Sequence, residues 1–344
     1  MSKFPRVEAY HQFDFNKLKK QRDDIVALKA NRLFPESFDF PLLLQLELTS
    51  RCNVFCKHCY NNSGKDNAVP DAMTPEKWKK FAKYIVSNGG IFECILSGGE
   101  PLLLGKDLFD IMDIFHNDGT YFLLITNGFL LTEETVMKLE KYRYKWIQVS
   151  IDGYNAEFHD SFRQRKGSWE RAVNGAYYLS KHGLPLTIAH SVSPYNLKDV
   201  DKMCDLAYSL GAGNIILGEI NLSGRTYENN SLVLNDEQRE YLLERVEFNM
   251  NKFSGKMSIQ RSLEDGLQYE ANIGVPNGGV IIRPDGNIRL DCMAPFSLGN
   301  ILTNDFCEVW KSKGINCWDN PVVRNYLNEN KNKIKNYIDN DINL

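Results

Sequence analysis

Three cysteines, Cys52, Cys56 and Cys59, fall within eight positions directly after the apolar run "PLLLQLEL". Thiolates at this C-x3-C-x2-C spacing can wrap one metal centre from a single loop. Structural zinc takes four protein ligands, and its ribbons and fingers pair two C-x2-C units. No second unit follows at such a spacing. His58 is available, but it lies between two of the cysteines, where joining them on one ion would strain the loop. An iron-sulfur cubane usually takes four cysteines, one per iron. Three thiolates would leave one iron open to chelate a small molecule's amine and carboxylate and pass it an electron.

The other five of the eight cysteines are scattered. Cys94 and Cys204 are isolated and read as small buried hydrophobes. Cys292, Cys307 and Cys317 form a loose late group. Without a secretory h-region at the start, the thiols are expected to stay reduced in the cytoplasm.

The elements that must hold the first loop repeat with a clear rhythm. Short β-rich runs at 42–48, 92–97, 121–126, 146–151, 185–192 and 214–220 alternate with amphipathic stretches of helical period. Thr74 before Pro75 marks a helix start, and Gly89, Gly119, Gly183 and Gly211 follow helix ends. Such spacing implies right-handed parallel βαβ units in an α/β fold, either an open doubly wound sheet or a curved partial barrel. In both, chemistry belongs in the loops after the strands. The cysteines follow the first strand, "SGGEP" the second, "TNG" the third and "DG" the fourth, so all four are expected on one rim.

The cysteine spacing, with Tyr60 beside it, "GGEP" after the second strand and "SIDG" after the fourth, resembles the radical S-adenosylmethionine (radical SAM) superfamily over residues 42–312. The resemblance implies a partial (β/α)6 TIM-like barrel. It implies that Cys52, Cys56 and Cys59 hold a [4Fe-4S] cluster that binds SAM. Gly98, Gly99 and Glu100 would meet the methionyl ammonium, with the two glycines allowing close backbone approach. Tyr60, beside the last cysteine, and Asn127, on the same rim, are further candidates for binding SAM. Ser150 and Asp152, on one face of a strand, would take the ribose hydroxyls. Arg163, preferred to Arg165 because it follows His159 and Asp160, would pair with the SAM carboxylate through its guanidinium fork. The cluster would cleave SAM reductively to a 5'-deoxyadenosyl radical that abstracts hydrogen from a substrate.

Residues 278–310 read as a hairpin around Pro284-Asp285-Gly286-Asn287 and resemble the SPASM or Twitch appendage of peptide-modifying relatives. There Cys292 would ligate an auxiliary iron-sulfur cluster. The cysteine ahead of that hairpin and the closing C-x2-C-x5-C array are absent, which leaves Cys307 and Cys317 as co-ligands. One auxiliary cluster and a cluster-free unit both stay open. The expected layout is an N-terminal extension (1–41) containing a helix, the barrel (42–255), a small hairpin-helix unit (256–320) and a polar tail (321–344), frayed or disordered at its end. Phe109, Met112 and Phe115 recur at helical spacing and are read as core.

Composition excludes some partners. The 344 residues carry a net charge of −3 and have no long apolar run, so neither nucleic acid nor membrane is expected. The resemblance points to a ribosomally made precursor peptide as substrate, crosslinked through carbon or thioether bonds or epimerised. It also points to a flavodoxin or ferredoxin-type electron donor and a separate leader-binding protein. The alternatives are a small-molecule oxidoreductase of heme or quinone biosynthesis and, more distantly, a noncatalytic metal-binding scaffold.

Overall fold

The computed structural model describes residues 30–31, 35–64, 69–262, 272–329 and 341–344. The helix expected around residues 17–34 falls almost wholly outside them.

Strands and helices alternate as the apolar spacing requires. The strands β1 (Leu43–Glu47), β2 (Glu93–Ser97), β3 (Tyr121–Thr126), β4 (Tyr144–Ser150), β5 (Leu186–Val192) and β6 (Asn214–Glu219) are successive. They are joined by α1 (Pro75–Ser87), α2 (Lys106–Asn117), α3 (Glu133–Leu139), the pair α4 (Ala156–Arg163) and α5 (Ser168–Lys181), and α6 (Val200–Ser209). The Thr74 hydroxyl caps α1 by accepting from the Lys77 N–H at 3.4 Å. Then α7 (Asp236–Lys252) leads to a seventh strand, β7 (Ser258–Ser262). The alternation did not reveal β7, because "SIQRS" has a single apolar residue.

From β1 to β7 the strands pair in sequence order and in parallel. Right-handed crossovers between consecutive neighbours put every helix on the same face. A doubly wound sheet, with helices on both faces, is thereby excluded, and the sheet curves around its bare face as a partial barrel. Leu44, Leu46, Cys94, Leu96, Leu124, Ile147 and Val149 point outward and are fully buried beneath helix residues such as Trp78, Ile111, Met112, Phe115 and Cys204. Phe109 packs on this core from its edge. The alternating partners Gln45, Ile95, Gln148, Ser150 and Ala189 face the concave side and are half-buried.

The C-terminal unit extends the same sheet. β8 (Gly279–Ile282) pairs in parallel with the free edge of β1, and β9 (Asn287–Arg289) returns antiparallel through the expected turn. β10 (Phe296–Asn300) follows, then the short α8 (Phe306–Val309), with Trp310 sealed in the core. The stretch expected as a polar tail forms α9 (Pro321–Glu329) and β11 (Ile342–Asn343). The helix buries Val323 and Leu327, one turn apart, and β11 pairs in parallel with β10. The order of the eleven strands is thus β11-β10-β9-β8-β1-β2-β3-β4-β5-β6-β7. Among the described residues no helix is long and apolar enough to cross a membrane.

Candidate functional site

The cysteine loop is clamped from two sides. The N–H groups of Phe55 and Lys57 donate to the carbonyls of Arg163 and Phe162 at 3.0 Å each, so the loop caps the C-terminal end of α4. On the other side, Arg225 in the loop after β6 donates through Nε to the Cys56 carbonyl (2.6 Å) and through an η nitrogen to the Ser63 carbonyl (2.9 Å). Its guanidinium lies 4.0 Å above the Phe55 ring. Arg225 is 3% exposed, so its positive charge is spent on the loop's carbonyls.

Cys52 and Cys56 stand where thiolates are unfavourable without a counter-ion. Burial pushes the Cys52 thiol up to about 11 and the Cys56 thiol up to about 12. The Arg163 guanidinium acts in the opposite direction on both, whereas the charge of Cys59 raises both further. Cys52 and Cys56 therefore share one buried cation and feel the third thiol beside them. Metal binding that releases their protons suits such a set. Among the described residues no three His, Cys, Asp or Glu side chains converge as ligands of a single metal ion. A cubane instead spreads its thiolates over different irons, so the donor set fits an iron-sulfur cluster.

The glycine pair after β2 is demanded by the protein's own backbone. The Gly99 N–H donates to the Thr49 carbonyl (2.6 Å) and the Glu100 N–H to the Arg51 carbonyl (2.9 Å), which locks this loop to the lead-in of the cysteine loop. A Cβ at Gly99 would lie 2.1 Å from the Arg51 oxygen. Gly98, at φ +125°, would place one 2.5 Å from the Thr49 oxygen.

Glu100 is fully buried. Its Oε1 accepts from the Leu102 N–H (3.1 Å) and the Thr126 hydroxyl (2.8 Å), and its Oε2 accepts from the Asn127 N–H (2.8 Å). Burial outweighs these donors and pushes its carboxyl up to about 7. Asn127 in turn donates to Asn53 Oδ1 (2.7 Å) and holds Nδ2 3.7 Å from Cys52 Sγ. The second and third loops are thus tied to the first thiol.

Asp152 and Arg163, expected to contact different parts of a ligand, are paired with each other. Arg163 Nε donates to Asp152 Oδ2 at 2.8 Å, with the two side chains 5% and 0% exposed. The Ser191 N–H donates to Oδ1 at 2.8 Å. Burial alone would raise the Asp152 carboxyl; the Arg163 guanidinium outweighs it and holds it well below the usual carboxylate range, with three histidines packed around the pair. Those histidines are His58, His159 and His190. His58 stacks on Phe162 at 4.6 Å and brings Nε2 within 3.5 Å of Asp152. Burial drives His58 down to about 4 and His159 down to about 3, and lowers His190 as well. All three are neutral at pH 7. His159 Nδ1 accepts from the Asp152 N–H, and His190 Nδ1 donates to the Ile151 carbonyl, each at 3.1 Å.

The remaining candidates sit apart from this cluster in differing degree. Ser150 ends β4 on the concave face, two positions before Asp152. The Tyr60 hydroxyl donates to Glu47 Oε1 (3.1 Å), while Asn61 donates to Oε2 (3.0 Å) and Arg283 approaches the same oxygen at 3.6 Å. Tyr60 thereby joins the cysteine loop to β1 and to the residue that follows β8. Arg165 lies on the surface, 5.0 Å above Phe129. Cys292 is half-buried in the bend after β9, and Cys317 is buried in a turn before α9. Cys307 opens α8, and its N–H donates to the Tyr84 hydroxyl of α1 (3.3 Å).

Arg225, Glu47 and the three histidines carry the site's polar framework and were not singled out from sequence for these roles. Arg225 had one usable signal, its place in the loop after the sixth strand. From sequence, His58 reads only as a candidate zinc ligand.

Comparison with known proteins agrees with this geometry. Residues 46–207 match the Radical SAM superfamily. The chain is 30% identical over 282 residues to the antilisterial bacteriocin subtilosin biosynthesis protein AlbA of Bacillus subtilis, covering 80% of this chain and 60% of that protein. It is 41% identical over 173 residues to an AdoMet-dependent heme synthase of Methanosarcina barkeri, covering 50% of this chain and 48% of that one. It therefore spans less than two thirds of either relative. Streptococcus suis SuiB bound to S-adenosylmethionine shares the fold, with a TM-score of 0.65 at 15% identity over 93% of this chain and 75% of that one. With its three-cysteine loop at the mouth of a partial barrel, the chain carries a radical SAM domain, and enzymes of that superfamily use a [4Fe-4S] cluster and S-adenosylmethionine.

Proposed function

We propose that this enzyme modifies a ribosomally made precursor peptide. The observation that carries the reading is the span of its likeness to AlbA, a bacteriocin biosynthesis protein, which covers 80% of the chain. Bound together, the cluster and SAM supply one electron for SAM cleavage and a 5'-deoxyadenosyl radical that removes hydrogen from the substrate.

The chain's own residues have distinct tasks in this reading. Cys52, Cys56 and Cys59 hold the cluster, and Arg163 offsets their negative charge. Glu100 and the backbone around Gly98 and Gly99 receive the methionyl ammonium; a cation there favours the ionised carboxylate that burial disfavours. Asn127 orders the loop beside Cys52. Ser150 and Asp152 serve the ribose hydroxyls, and the Arg163 guanidinium keeps Asp152 anionic and in place. Arg163 also meets the SAM carboxylate. Tyr60, held by Glu47, lines the approach from the C-terminal unit. That unit is a shortened SPASM-like appendage without a cluster of its own: Cys307 lies against Tyr84, and Cys317 is sunk in the core. The enzyme works in the cytoplasm with a small electron-carrier protein and a separate leader-binding protein.

A second reading, heme-type oxidoreductase, has the 41% identity to the heme synthase in its favour. One experiment separates the two. The chain is reconstituted anaerobically with iron and sulfide, reduced, and given SAM with either a short peptide encoded beside its gene or an iron porphyrin. Peptide maturation predicts 5'-deoxyadenosine together with loss of two hydrogens from the peptide, or deuterium uptake from D2O for epimerisation. Turnover with the porphyrin alone would contradict it.

A further inference from the structure

The surface next to the cysteine loop carries an unbalanced positive patch. In "RQRKGSWER", residues 163–171, four cations face one acid, Glu170, although the whole chain has a net charge of −3. Arg163 is buried, whereas Arg165, Lys166 and Arg171 are exposed and form no ion pair among the described residues. The nearby Asp160 forms no ion pair with them. Its carboxylate accepts from the Gly167 N–H (2.6 Å), the Ser168 hydroxyl (2.9 Å) and the Trp169 N–H (2.8 Å) at the start of α5. Several exposed cations elsewhere are paired, among them Lys106 with Asp110, Lys138 with Glu134, and Arg51 with Asp71.

Two of these guanidiniums flank one aromatic ring. Arg165 and Arg171 lie 5.0 Å and 5.6 Å from the Phe129 centroid. Phe129 belongs to the site's third loop: its N–H donates to Asn127 Oδ1 at 2.9 Å, and Asn127 Nδ2 is 3.7 Å from Cys52 Sγ. One asparagine therefore links the backbone of the patch to the first thiol. The position is also on the outer side of the barrel. Gly128 packs against Ala172 of α5, where a Cβ would meet the Ala172 Cα at 2.9 Å, so the patch does not open into the concave face where substrate enters.

We infer that Phe129, Arg165, Lys166 and Arg171 form the docking surface for an acidic one-electron carrier protein that reduces the cluster. The inference rests on the radical SAM reading of the cysteine loop. In the step, one electron leaves the carrier, which is oxidised, and the cluster is reduced by one, with no bond made or broken. Charge complementarity selects the carrier: a patch of one sign steers an oppositely charged partner and raises its rate of encounter. Phe129 gives the contact an apolar centre inside the charged ring.

The test uses the reconstituted holoprotein, a flavodoxin of net negative charge, and the double variant Lys166→Glu/Arg171→Glu. Flavodoxin binding is followed by titration calorimetry at several salt concentrations, and SAM cleavage is driven in parallel by reduced flavodoxin or by dithionite. The inference expects weaker, less salt-dependent binding and a fall of about 10-fold or more in flavodoxin-driven cleavage, with dithionite-driven cleavage unchanged. The neutral pair Lys166→Gln/Arg171→Gln, which guards against misfolding of the charge reversal, should fall in the same direction by less. Unchanged flavodoxin binding would overturn the inference. So would an equal loss with both reductants, which would assign the patch to substrate peptide or to folding. If the wild type cleaves no SAM even with dithionite, the radical SAM reading fails first, and that result is distinct from either of the others.

Discussion

Gly99→Ala is the most informative single substitution in the site, because what it breaks can be worked out atom by atom. Its Cβ would meet the Arg51 carbonyl oxygen at 2.1 Å, the Arg51 carbonyl carbon at 2.6 Å and the Ser50 oxygen at 2.9 Å, all backbone atoms. Reaching even 3.0 Å requires the Arg51 carbonyl to retreat by about 0.9 Å. The same movement stretches the Glu100 N–H to Arg51 bond from 2.9 Å past the range of a hydrogen bond, and it disturbs the 2.6 Å bond from Gly99 to Thr49. Two lost hydrogen bonds at about 1 kcal/mol each, with strain of similar size, give a destabilisation of about 2–4 kcal/mol. Arg51 immediately precedes Cys52, so the first thiol moves as well. Urea denaturation and iron content after reconstitution should fall together. Gly278→Ala is the control: nothing lies within 4 Å of its Cβ, and the change should stay within about 0.5 kcal/mol. A Gly99→Ala protein with the wild-type midpoint and full iron would refute the reasoning.

Three other substitutions probe the framework. Arg163→Ala leaves Asp152 buried without its cation and should cost about 3–5 kcal/mol in urea denaturation, whereas Asp152→Asn/Arg163→Met should cost less than Arg163→Ala alone. Arg225→Ala removes three side-chain hydrogen bonds and a ring contact from the cysteine loop; limited proteolysis should then cut within residues 50–64 faster than in the wild type, and Arg225→Lys, lacking the fork, should not restore protection. Glu100 gives an unusual pH dependence. Its folded value of about 7 lies above the ordinary 4.5, so folding takes up a proton, and the stabilisation, complete below pH 4.5, is lost as the pH rises through 7. The difference in stability between wild type and Glu100→Gln in the SAM-free protein should therefore shift against the wild type by about 3 kcal/mol between pH 4.5 and pH 8, read from urea midpoints at each pH.

The sequence was most legible where local chemistry is obligatory. Six strands announced themselves through β-rich apolar runs, and the cysteine loop through its spacing, because neither depends on distant neighbours. Strand order does depend on them: nothing in the alternation distinguished a barrel from a doubly wound sheet, and the pairing of β8 with β1 joins residues more than two hundred positions apart. β7 was missed because its polar residues line the concave side and the edge of the sheet. The "polar tail" concealed Val323 and Leu327, whose four-residue spacing suffices to seat one helix.

Within the site, residue types were readable but partnerships were not. Gly98 and Gly99 were expected to make room for a ligand, yet their tight neighbours are Thr49 and Arg51 of the same chain. Asp152 and Arg163 were each identified, but the bond between them follows from α4 folding back over the end of β4, which spacing alone does not encode. Arg225 comes from a loop 169 positions away from the Cys56 carbonyl it holds.

The most direct test of the account is electron paramagnetic resonance of the anaerobically reconstituted, dithionite-reduced protein, recorded with and without SAM. A cluster held by Cys52, Cys56 and Cys59 with an open iron predicts a reduced [4Fe-4S] signal whose shape changes when SAM is added, and whose loss follows replacement of any one of the three cysteines by alanine. A signal that ignores SAM, or that persists in all three alanine variants, would contradict it.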